Sequence, residues 1–506
     1  MGTSYIPFPP WAIFFCFIPL YLDLIYNAKS PWDAFKRAWV TQFVLTLIGF
    51  YWIAYVAHEF GFLPWPVAIF VLLLFGAGMH LHIPLAMALG FFLSKKFKTY
   101  GASSVFVYAL LMALADQLWP GMFPFHLGYS WLWIRSPLAQ WADVVGFLGL
   151  GLLVHLTQAS VGWIFLSKNL HLRAALLLAL FGIYAGLHFS GKDRQKAWEA
   201  SDSILKVLMV QANIGNIEKI FAEKGRGYQR EIAYKYFSMT SAALEKEKQT
   251  GGAPVDLVIW PESAFPDALD QHNSFRTYTQ QFVAFQKTAG VAILTGSYST
   301  TAPNENPKQD FNALFLYEKD TGLEAPPYRK THLLAFGEFV PLGDTFPILK
   351  KWNPGGEGFS KGKGPMVLNW RDYKIGPQIC YESLYPDFSA KLVQQGAHFL
   401  VNLTNDSWFG PTSEPHQHLH MTLARALETR RPLLRSTNTG ITTAIDAAGN
   451  ILQQSTSFQP WSGVFEIGVR KTNALTFYSL YGQWLPWLTV LLLLLTILAG
   501  ASRSSE

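Results

Sequence analysis

Cysteine is nearly absent from this chain of 506 residues, which contains only Cys16 and Cys380. Two cysteines exclude a disulfide framework and a cysteine-based zinc site. Cys16 lies in the first apolar segment, so Cys380 has no disulfide partner in its own part of the chain. The thiol of Cys380 is therefore free either to react or to pack as an inert buried group.

Charged side chains are also scarce. They make up 15% of the chain, whereas soluble proteins have about a quarter. The deficit falls in the first 190 residues and the last 25, which are therefore the candidate membrane regions. The net charge of +6 comes largely from small Lys and Arg clusters beside apolar runs. This pattern indicates orientation in a lipid bilayer and no binding of nucleic acid.

Seven apolar segments are predicted to span the membrane, because most of them can cross a hydrocarbon core of about 30 Å. The first ten residues contain neither Lys nor Arg, so the first segment is predicted to be a retained span and not a cleaved signal peptide. The first and fourth segments are short, and the third is long enough to tilt or to contain a break. The seven lie near residues 10–26, 38–57, 64–94, 102–118, 143–167, 173–190 and 484–501.

The orientation of these spans follows from their basic flanks. Basic residues follow the first, third, fifth and seventh segments: Lys29, Lys36, Arg37, Lys95, Lys96, Lys98, Lys168, Arg173 and Arg503. The opposite loops have few of them. The positive-inside rule therefore predicts that the N-terminus and residues 191–483 lie outside, and that the C-terminus lies in the cytoplasm.

Residues 191–483 have a different pattern, in which short apolar runs alternate with helix-like stretches. Most of the runs have Gly, Pro, Asn or Asp close by, as buried strands do. The alternation predicts an α/β layer structure. The chain is therefore divided into an N-terminal membrane domain (1–190, six spans), an outer α/β domain (191–483), and a C-terminal span with a short tail (484–506).

Three short segments of the outer domain supply a carboxylate, an ammonium and a thiol. Residues 260–263 contain Glu262, residues 328–332 contain Lys330, and residues 379–383 contain Cys380. A thiol needs a base to become a thiolate, and a carboxylate can be that base. A fixed ammonium can stabilise the negative oxygen of a tetrahedral intermediate. The three groups together are sufficient for acyl transfer through a thioester.

Each residue also has an ordinary structural interpretation when it is taken alone. Glu262 fits a surface salt bridge, and Lys330 fits a solvated charge. Cys380 closes the largely apolar run 375–379 and fits an inert buried cysteine. The occurrence of all three in one domain favours a reactive site over three unrelated residues.

The three segments resemble those of the carbon–nitrogen hydrolase (nitrilase) superfamily, whose Glu–Lys–Cys triad lies on an αββα sandwich. Other segments resemble the apolipoprotein N-acyltransferase family, which joins such a domain to membrane spans at both ends. The resemblance covers nearly the whole chain, although that family usually has eight spans where seven are predicted here. The segments that carry the second resemblance are residues 334–341, 405–410, 415–418 and 431–440.

This resemblance implies a multi-pass protein of a bacterial inner membrane with its catalytic domain in the periplasm. It implies that Cys380 takes an acyl chain from a phospholipid, with phosphatidylethanolamine as the expected donor. The acceptor is the amine of diacylglyceryl-cysteine in an apolipoprotein. No metal or diffusible cofactor is implied.

The resemblance also implies a role for each residue of the site. Glu262 acts as general base. Lys330 and the backbone N–H of Tyr381 hold the oxyanion. Glu338 and Glu382 orient Lys330 or the acceptor amine.

Two other functions remain open on the residues alone. A membrane-anchored amidase or nitrilase would use the same three groups on small amides, with water in place of the amine. One span suffices for an anchor, so seven spans argue against it. A transporter or sensor whose outer domain only binds a ligand has no use for three reactive groups.

Overall fold

The computed structural model describes residues 5–8, 10–99, 102–124, 126–223, 227–324, 326–343, 345–348 and 358–502. The chain forms two compact units, one of Met1–Lys196 with Leu480–Glu506 and one of Ala197–Ser479. The sequence places the first boundary at residue 190, whereas the first unit extends to Lys196. The reason is that the helix Leu170–Ala197 continues past its apolar part into a charged last turn.

The first unit is helical. Local sequence explains where its elements begin: α2 starts at Pro31, and Oγ of the preceding Ser30 accepts a hydrogen bond from the backbone N–H of Asp33, which is a helix N-cap. The helices are α1 (Ile18–Asn27), α2 (Pro31–Gly49), α3 (Trp52–Glu59), α4 (Trp65–Gly78), α5 (His82–Lys96), α6 (Ala102–Leu118), α7 (Ser130–Trp133), α8 (Ala142–Leu166) and α9 (Leu170–Ala197).

Four helical segments within the described residues are long and apolar enough to cross a membrane: Trp65–Lys96, Pro137–Leu166, Leu170–Ala197 and Phe477–Gly500. A fifth is obtained if α2 and α3, which meet at a bend of 57°, are counted as one span. Ser103–Leu118 is apolar but shorter, and the helix at the first predicted span, α1, has only ten residues. The two apolar segments whose helices are too short to cross a membrane are therefore the first and the fourth, which are also the short ones in the sequence.

A buried polar cluster joins three helices of this unit. The two carboxylate oxygens of Asp116 on α6 lie 3.2 Å from Nε2 of His82 on α5 and 3.0 Å from Nε2 of His155 on α8. Polar groups in an apolar environment need such partners. The cluster fixes the register of α5, α6 and α8 against one another.

The second unit contains two β-sheets. The first sheet has the order β13-β1-β2-β3-β4-β5, with β6 paired to β4, and the second has the order β12-β11-β10-β9-β8-β7. The central strands β1, β2 and β3 are mutually parallel, as are β8, β9 and β10. The strands are β1 (Ser203–Gln211), β2 (Leu257–Ile259), β3 (Ala292–Thr300), β4 (Asp310–Glu318), β5 (Gly322–Leu323), β6 (Tyr328–Arg329), β7 (Leu368–Trp370), β8 (Tyr373–Ile379), β9 (Phe399–Thr404), β10 (Leu433–Thr437), β11 (Thr443–Ile445), β12 (Ile451–Gln454) and β13 (Trp461–Val469).

Helices cover the outer face of each sheet. The first sheet packs its buried side chains, Val258 and Phe315 among them, against α11 (Gln229–Gln249) and α12 (Thr277–Ala289). The second sheet packs against α13 (Pro386–Gln394) and α14 (Glu414–Thr429). The inner faces meet where β1 contacts β10 and β4 contacts β8. The predicted αββα sandwich is confirmed. The helices are α10 (Asn216–Glu223), α11 (Gln229–Gln249), α12 (Thr277–Ala289), α13 (Pro386–Gln394), α14 (Glu414–Thr429), α15 (Phe477–Tyr481) and, in the first unit, α16 (Leu485–Ser502).

Candidate active site

The three residues singled out from the sequence lie just past the ends of strands. Glu262 follows β2, Lys330 follows β6, and Cys380 follows β8 and begins a short 3-10 turn, Cys380–Leu384. Glu262 and Cys380 thus lie at the carboxyl ends of parallel strands, a common location for sites in α/β proteins. All three side chains are buried, at 6%, 1% and 6% exposure.

A buried lysine with two carboxylates forms the centre of this site. Nζ of Lys330 lies 3.3 Å from Oε1 of Glu262 and 2.8 Å from Oε2 of Glu338. Glu338 also accepts a hydrogen bond from the backbone N–H of Leu334 at 2.8 Å, which fixes its carboxylate beside Lys330. The structure therefore brings Glu262, Lys330 and Glu338 into direct contact.

Asn312 belongs to the same cluster and was not singled out from the sequence. Its side-chain amide nitrogen donates to Oε1 of Glu262 at 2.7 Å and to Oε1 of Glu338 at 2.9 Å. A polar residue inside the otherwise apolar strand β4, between Phe311 and Ala313, is the one signal that could have indicated it. Lys219 of α10 was missed as well, and its Nζ donates to the backbone oxygen of Glu262 at 3.3 Å.

Gly296 allows the chain around Glu262 to approach β3 closely. A Cβ at position 296 would lie 2.5 Å from the backbone oxygen of Pro261 and 2.6 Å from Cα of Glu262. Both of these are backbone atoms, which cannot move aside as a side chain does. The carboxylate of Glu262 is therefore positioned by β2 and β3 together.

The charges at this site determine which groups are protonated. Burial opposes the ionised form of Lys330, but Glu262 and Glu338 outweigh it, and the pKa of the ammonium lies well above its ordinary value. Burial raises the pKa of Glu262; Lys330 opposes this rise and Glu338 adds to it. Burial, followed by the charge of Glu262, also raises the pKa of the Cys380 thiol well above its ordinary value. The thiol is thus protonated at rest, within electrostatic range of both Glu262 and Lys330.

The backbone at Cys380 has an uncommon conformation. Its φ is +53°, in the left-handed region that side-chain-bearing residues rarely occupy. Such conformations persist where the surrounding structure enforces them, and they concentrate at functional sites. The carbonyl oxygen of Cys380 accepts hydrogen bonds from Nδ2 of Asn402 and Oγ of Ser383, both at 3.0 Å.

Glu382 ties the lysine segment to the cysteine segment. Its Oε1 accepts hydrogen bonds from the hydroxyl of Tyr328 at 2.7 Å and from the backbone N–H groups of Thr331 at 2.6 Å and His332 at 3.1 Å. Its Oε2 accepts from the N–H of Ile379 at 2.8 Å. Burial raises the pKa of Glu382 to about 7. Its hydrogen bonds are therefore to the chain on either side of Lys330, whereas Glu338 contacts the ammonium itself.

The side chain of Tyr381 points into a second polar cluster. Its hydroxyl donates to Oε1 of Glu414 at 2.5 Å, and its ring stacks on that of His418 with centroids 4.7 Å apart. Asp406, Glu414 and His418 form the one group within the described residues that has the spacing to hold a metal ion. The guanidinium of Arg435 already supplies a positive charge there, 2.8 Å from Oδ2 of Asp406.

Comparison with known proteins gives a consistent result in both units. Residues 202–461 match the carbon–nitrogen hydrolase family, and residues 1–160 match the apolipoprotein N-acyltransferase N-terminal domain. A curated apolipoprotein N-acyltransferase of Bdellovibrio bacteriovorus is 47% identical over 514 residues, covering 100% of this chain and 93% of that protein. An apolipoprotein N-acyltransferase of Geobacter metallireducens is 30% identical over 496 residues, covering 94% of this chain and 88% of that protein.

Solved structures align with part of the chain. A carbon–nitrogen hydrolase of Helicobacter pylori aligns at 16% identity and a TM-score of 0.37, covering 52% of this chain and 89% of that chain.

Proposed function

The chain belongs to the apolipoprotein N-acyltransferase family, and from this premise we propose that Cys380, Glu262 and Lys330 carry out its acyl transfer through a thioester. The acyl chain comes from a phospholipid and goes to the α-amine of diacylglyceryl-cysteine at the N-terminus of an apolipoprotein. The observation that carries the assignment is the buried Lys330 ammonium, held between Glu262 and Glu338 within electrostatic range of the Cys380 thiol.

The first half-reaction forms the thioester. Glu262 takes the proton of the Cys380 thiol, and Sγ attacks the carbonyl carbon of the phospholipid ester. Lys330 and the backbone N–H of Tyr381 stabilise the oxyanion, as fixed donors do in a buried site. The bond between the carbonyl carbon and the glycerol oxygen then breaks. Glu262 returns the proton to that oxygen, and lysophospholipid leaves.

The second half-reaction transfers the acyl chain. The amine of the apolipoprotein attacks the thioester carbonyl and loses a proton to Glu262. The bond between carbon and sulfur breaks, and the proton returns to the Cys380 sulfur. Each group thus ends in the protonation state in which it began, so the enzyme needs no external acid or base.

Distances support different roles for the two carboxylates. Glu338 contacts Lys330 at 2.8 Å, closer than the 3.3 Å of Glu262. Burial raises the pKa of Glu262, which brings a carboxylate nearer to the value that a general base needs at neutral pH. Glu338 therefore holds the ammonium in place, and Glu262 exchanges protons with the thiol, the leaving alcohol and the amine.

A group of exposed apolar side chains, close in sequence on the segment that carries Glu338, supports a lipid substrate. Phe336, Leu342, Phe346 and Ile348 lie along this segment, each more than half exposed. Exposed apolar side chains that are grouped together mark surfaces for lipid or protein contact. A small-amide hydrolase has no need of such a surface beside its lysine. We take phosphatidylethanolamine as the donor.

The basic flanks of the apolar segments support a location in the bacterial inner membrane with the catalytic unit in the periplasm. Phospholipid and the lipid-anchored acceptor both lie at a bilayer surface. A catalytic unit joined to membrane helices at both ends is suited to reach both substrates.

The test is mass spectrometry of the protein incubated with phospholipid alone and then with a diacylated lipopeptide. We expect an acyl adduct on Cys380, which disappears as the lipopeptide becomes triacylated. Cys380→Ser is expected to abolish both steps while the protein stays folded, because an alkoxide is far harder to form than a thiolate. Cys16→Ser is the matched control and is expected to keep full activity.

Two outcomes would contradict the proposal. An adduct on another residue, or normal activity of Cys380→Ser, would remove Cys380 as nucleophile. Rapid release of free fatty acid or of ammonia from small amides, without transfer to the lipopeptide, would identify a hydrolase instead.

A further inference from the structure

A fully buried arginine lies behind the nucleophile and is connected to it by two chains of hydrogen bonds. Nη1 of Arg435 on β10 donates to Oδ1 of Asn402 at 2.8 Å and to Oγ1 of Thr422 at 3.1 Å. Arg435, Asn402 and Thr422 are all 0% exposed. The mechanism proposed above uses none of the three.

Both chains end on the same carbonyl oxygen. Nδ2 of Asn402 donates directly to the oxygen of Cys380 at 3.0 Å. On the other side, the Oγ1 of Thr422 and the Oγ of Ser383 lie 2.7 Å apart, and Ser383 donates to the Cys380 oxygen at 3.0 Å. Because Thr422 accepts from Arg435, its own proton is available to Ser383. Every proton in both chains therefore points from Arg435 towards Cys380.

The guanidinium at the root of the chains is itself fixed. Nη2 of Arg435 lies 2.8 Å from Oδ2 of Asp406, whose other oxygen lies 3.1 Å from Nδ1 of His418. A buried ion pair of this kind adds little net stability compared with apolar packing, because desolvation offsets the attraction. We therefore attribute to this ion pair a geometric role, which is to hold the Arg435 guanidinium in one position.

The carbonyl that receives both chains belongs to the peptide group between Cys380 and Tyr381, and the N–H of this peptide is the oxyanion donor of the proposed mechanism. Hydrogen bonds accepted by a carbonyl polarise its peptide group and strengthen the N–H of the same group as a donor, since chains of hydrogen bonds reinforce one another in a low dielectric. They also hold the plane of this peptide, which directly follows the left-handed Cys380 with its φ of +53°.

We propose that Arg435, acting through Asn402 and through Thr422 and Ser383, orients and polarises the Cys380–Tyr381 peptide as the oxyanion donor of acyl transfer. These four are positioning residues, since they act through the peptide and do not touch substrate. The inference rests on the proposed function, because it takes Cys380 as the nucleophile. It assigns a role to residues 402, 422 and 435 that neither the sequence motifs nor the triad explain.

The test compares variants that break one chain with variants that change the same region but leave the chains intact. Thr422→Val removes the hydroxyl at nearly constant volume, whereas Thr422→Ser keeps the hydroxyl and loses a methyl group. Asn402→Leu removes the direct donor. Gln378→Leu is the control for Asn402→Leu, because Gln378 is equally buried and pairs with Asn402 in the β8–β9 register. Its side chain donates a hydrogen bond to Ser389 and takes no part in the two chains from Arg435.

The readouts are the single-turnover rate of Cys380 acylation by phosphatidylethanolamine vesicles, the KM for that lipid, and the thermal midpoint of the full-length protein in detergent. We expect Asn402→Leu to lower the acylation rate about tenfold and Thr422→Val about threefold, as partial losses of a donor that is worth about a hundredfold or more. KM should stay unchanged. Thr422→Ser and Gln378→Leu should acylate at the wild-type rate even where their thermal midpoints fall.

Each outcome has one meaning. Absence of an acyl adduct on Cys380 of the wild type would overturn the proposed function itself. An adduct on the wild type together with equal rates for Thr422→Val and Thr422→Ser, and for Asn402→Leu and Gln378→Leu, would overturn the positioning role alone. If Asn402→Leu does not fold, the two Thr422 variants decide, since valine has nearly the same shape as threonine.

Discussion

The side-chain amide nitrogen of Asn312 lies 2.7 Å from Oε1 of Glu262, the same oxygen that lies 3.3 Å from Nζ of Lys330. One carboxylate oxygen thus receives two donors, one neutral and one charged. Each donor stabilises the ionised carboxylate and opposes the rise in pKa that burial causes at Glu262. Asn312 therefore helps to keep the proposed general base ready to accept a proton.

Asn312→Leu is expected to raise the pKa of Glu262 further, because a hydrogen bond to the ionised form is lost. A base works only when it is unprotonated, so the acidic limb of the acylation rate should move to higher pH. The rate at neutral pH should fall about tenfold, a fraction of what a general base contributes. A pH profile of Cys380 acylation measures both effects. Gln286→Leu, which removes a buried amide bonded to Val291, is the control and should leave the profile unmoved.

Glu338→Gln should move the same limb in the opposite direction. The negative charge of Glu338 raises the pKa of Glu262, so removing this charge lowers that pKa and extends activity to lower pH. The maximal rate should still fall, because Lys330 loses its closer carboxylate. The pH profiles of Cys380 acylation for Glu338→Gln and Asn312→Leu, measured side by side, test whether Glu262 is the group that titrates. Shifts of both variants in one direction would show that Glu262 is not the group that titrates.

Glu382→Gln should separate the lysine segment from the cysteine segment. All four hydrogen-bond partners of Glu382 are donors, and the NH₂ of glutamine must face at least one of them. A buried donor left without an acceptor costs about 1–3 kcal/mol, so the free energy of unfolding should fall by that amount. Acylation should fall by about two orders of magnitude, as for loss of an oxyanion donor, because Lys330 and Cys380 lose their common support.

Denaturant unfolding and single-turnover acylation measure the two effects of Glu382→Gln. Glu318→Gln is the matched control, since Glu318 also accepts hydrogen bonds, from Trp370 and Arg371, but stands apart from the triad. It should change stability without changing the acylation rate. An active Glu382→Gln enzyme would show that this carboxylate does not position the site.

Basic flanks predict the side of the membrane on which each segment lies. The test introduces Ser201→Cys or Lys96→Cys, both at exposed positions, into a chain that carries Cys16→Ser and Cys380→Ser. An impermeant thiol reagent applied to spheroplasts should label the Ser201→Cys variant and leave the Lys96→Cys variant unlabelled. The clusters of Lys and Arg that follow the first and third apolar segments give the reason. Labelling of both only after the cells are broken would place the catalytic unit in the cytoplasm and refute the proposed topology.

Much of the architecture could be predicted from local pattern and motif. Apolar segments poor in charge identified the helical unit, and short apolar runs bounded by Gly, Pro, Asn and Asp identified strands of the αββα sandwich. These features are local because hydrophobic run length and turn chemistry act within a few residues. The span count was harder, since α1 has only ten residues, fewer than its apolar sequence suggests, and α6 covers its whole apolar segment but is itself short.

The sequence by itself determined which reactive groups are present: one carboxylate, one ammonium and one thiol in motifs that resemble a known family. The resemblance also pointed to Glu338, Tyr381 and Glu382, but tertiary structure alone decided which further residues serve these groups. Asn312 reaches Glu262 only because antiparallel β4 lies beside β3, and Arg435 reaches Cys380 only because β8, β9 and β10 are neighbours in one sheet. The contacts that make these links, Asn312 with Glu262, Arg435 with Asn402 and Asn402 with Cys380, join residues 50, 33 and 22 positions apart. Their existence depends on strand register and burial, which no local pattern encodes.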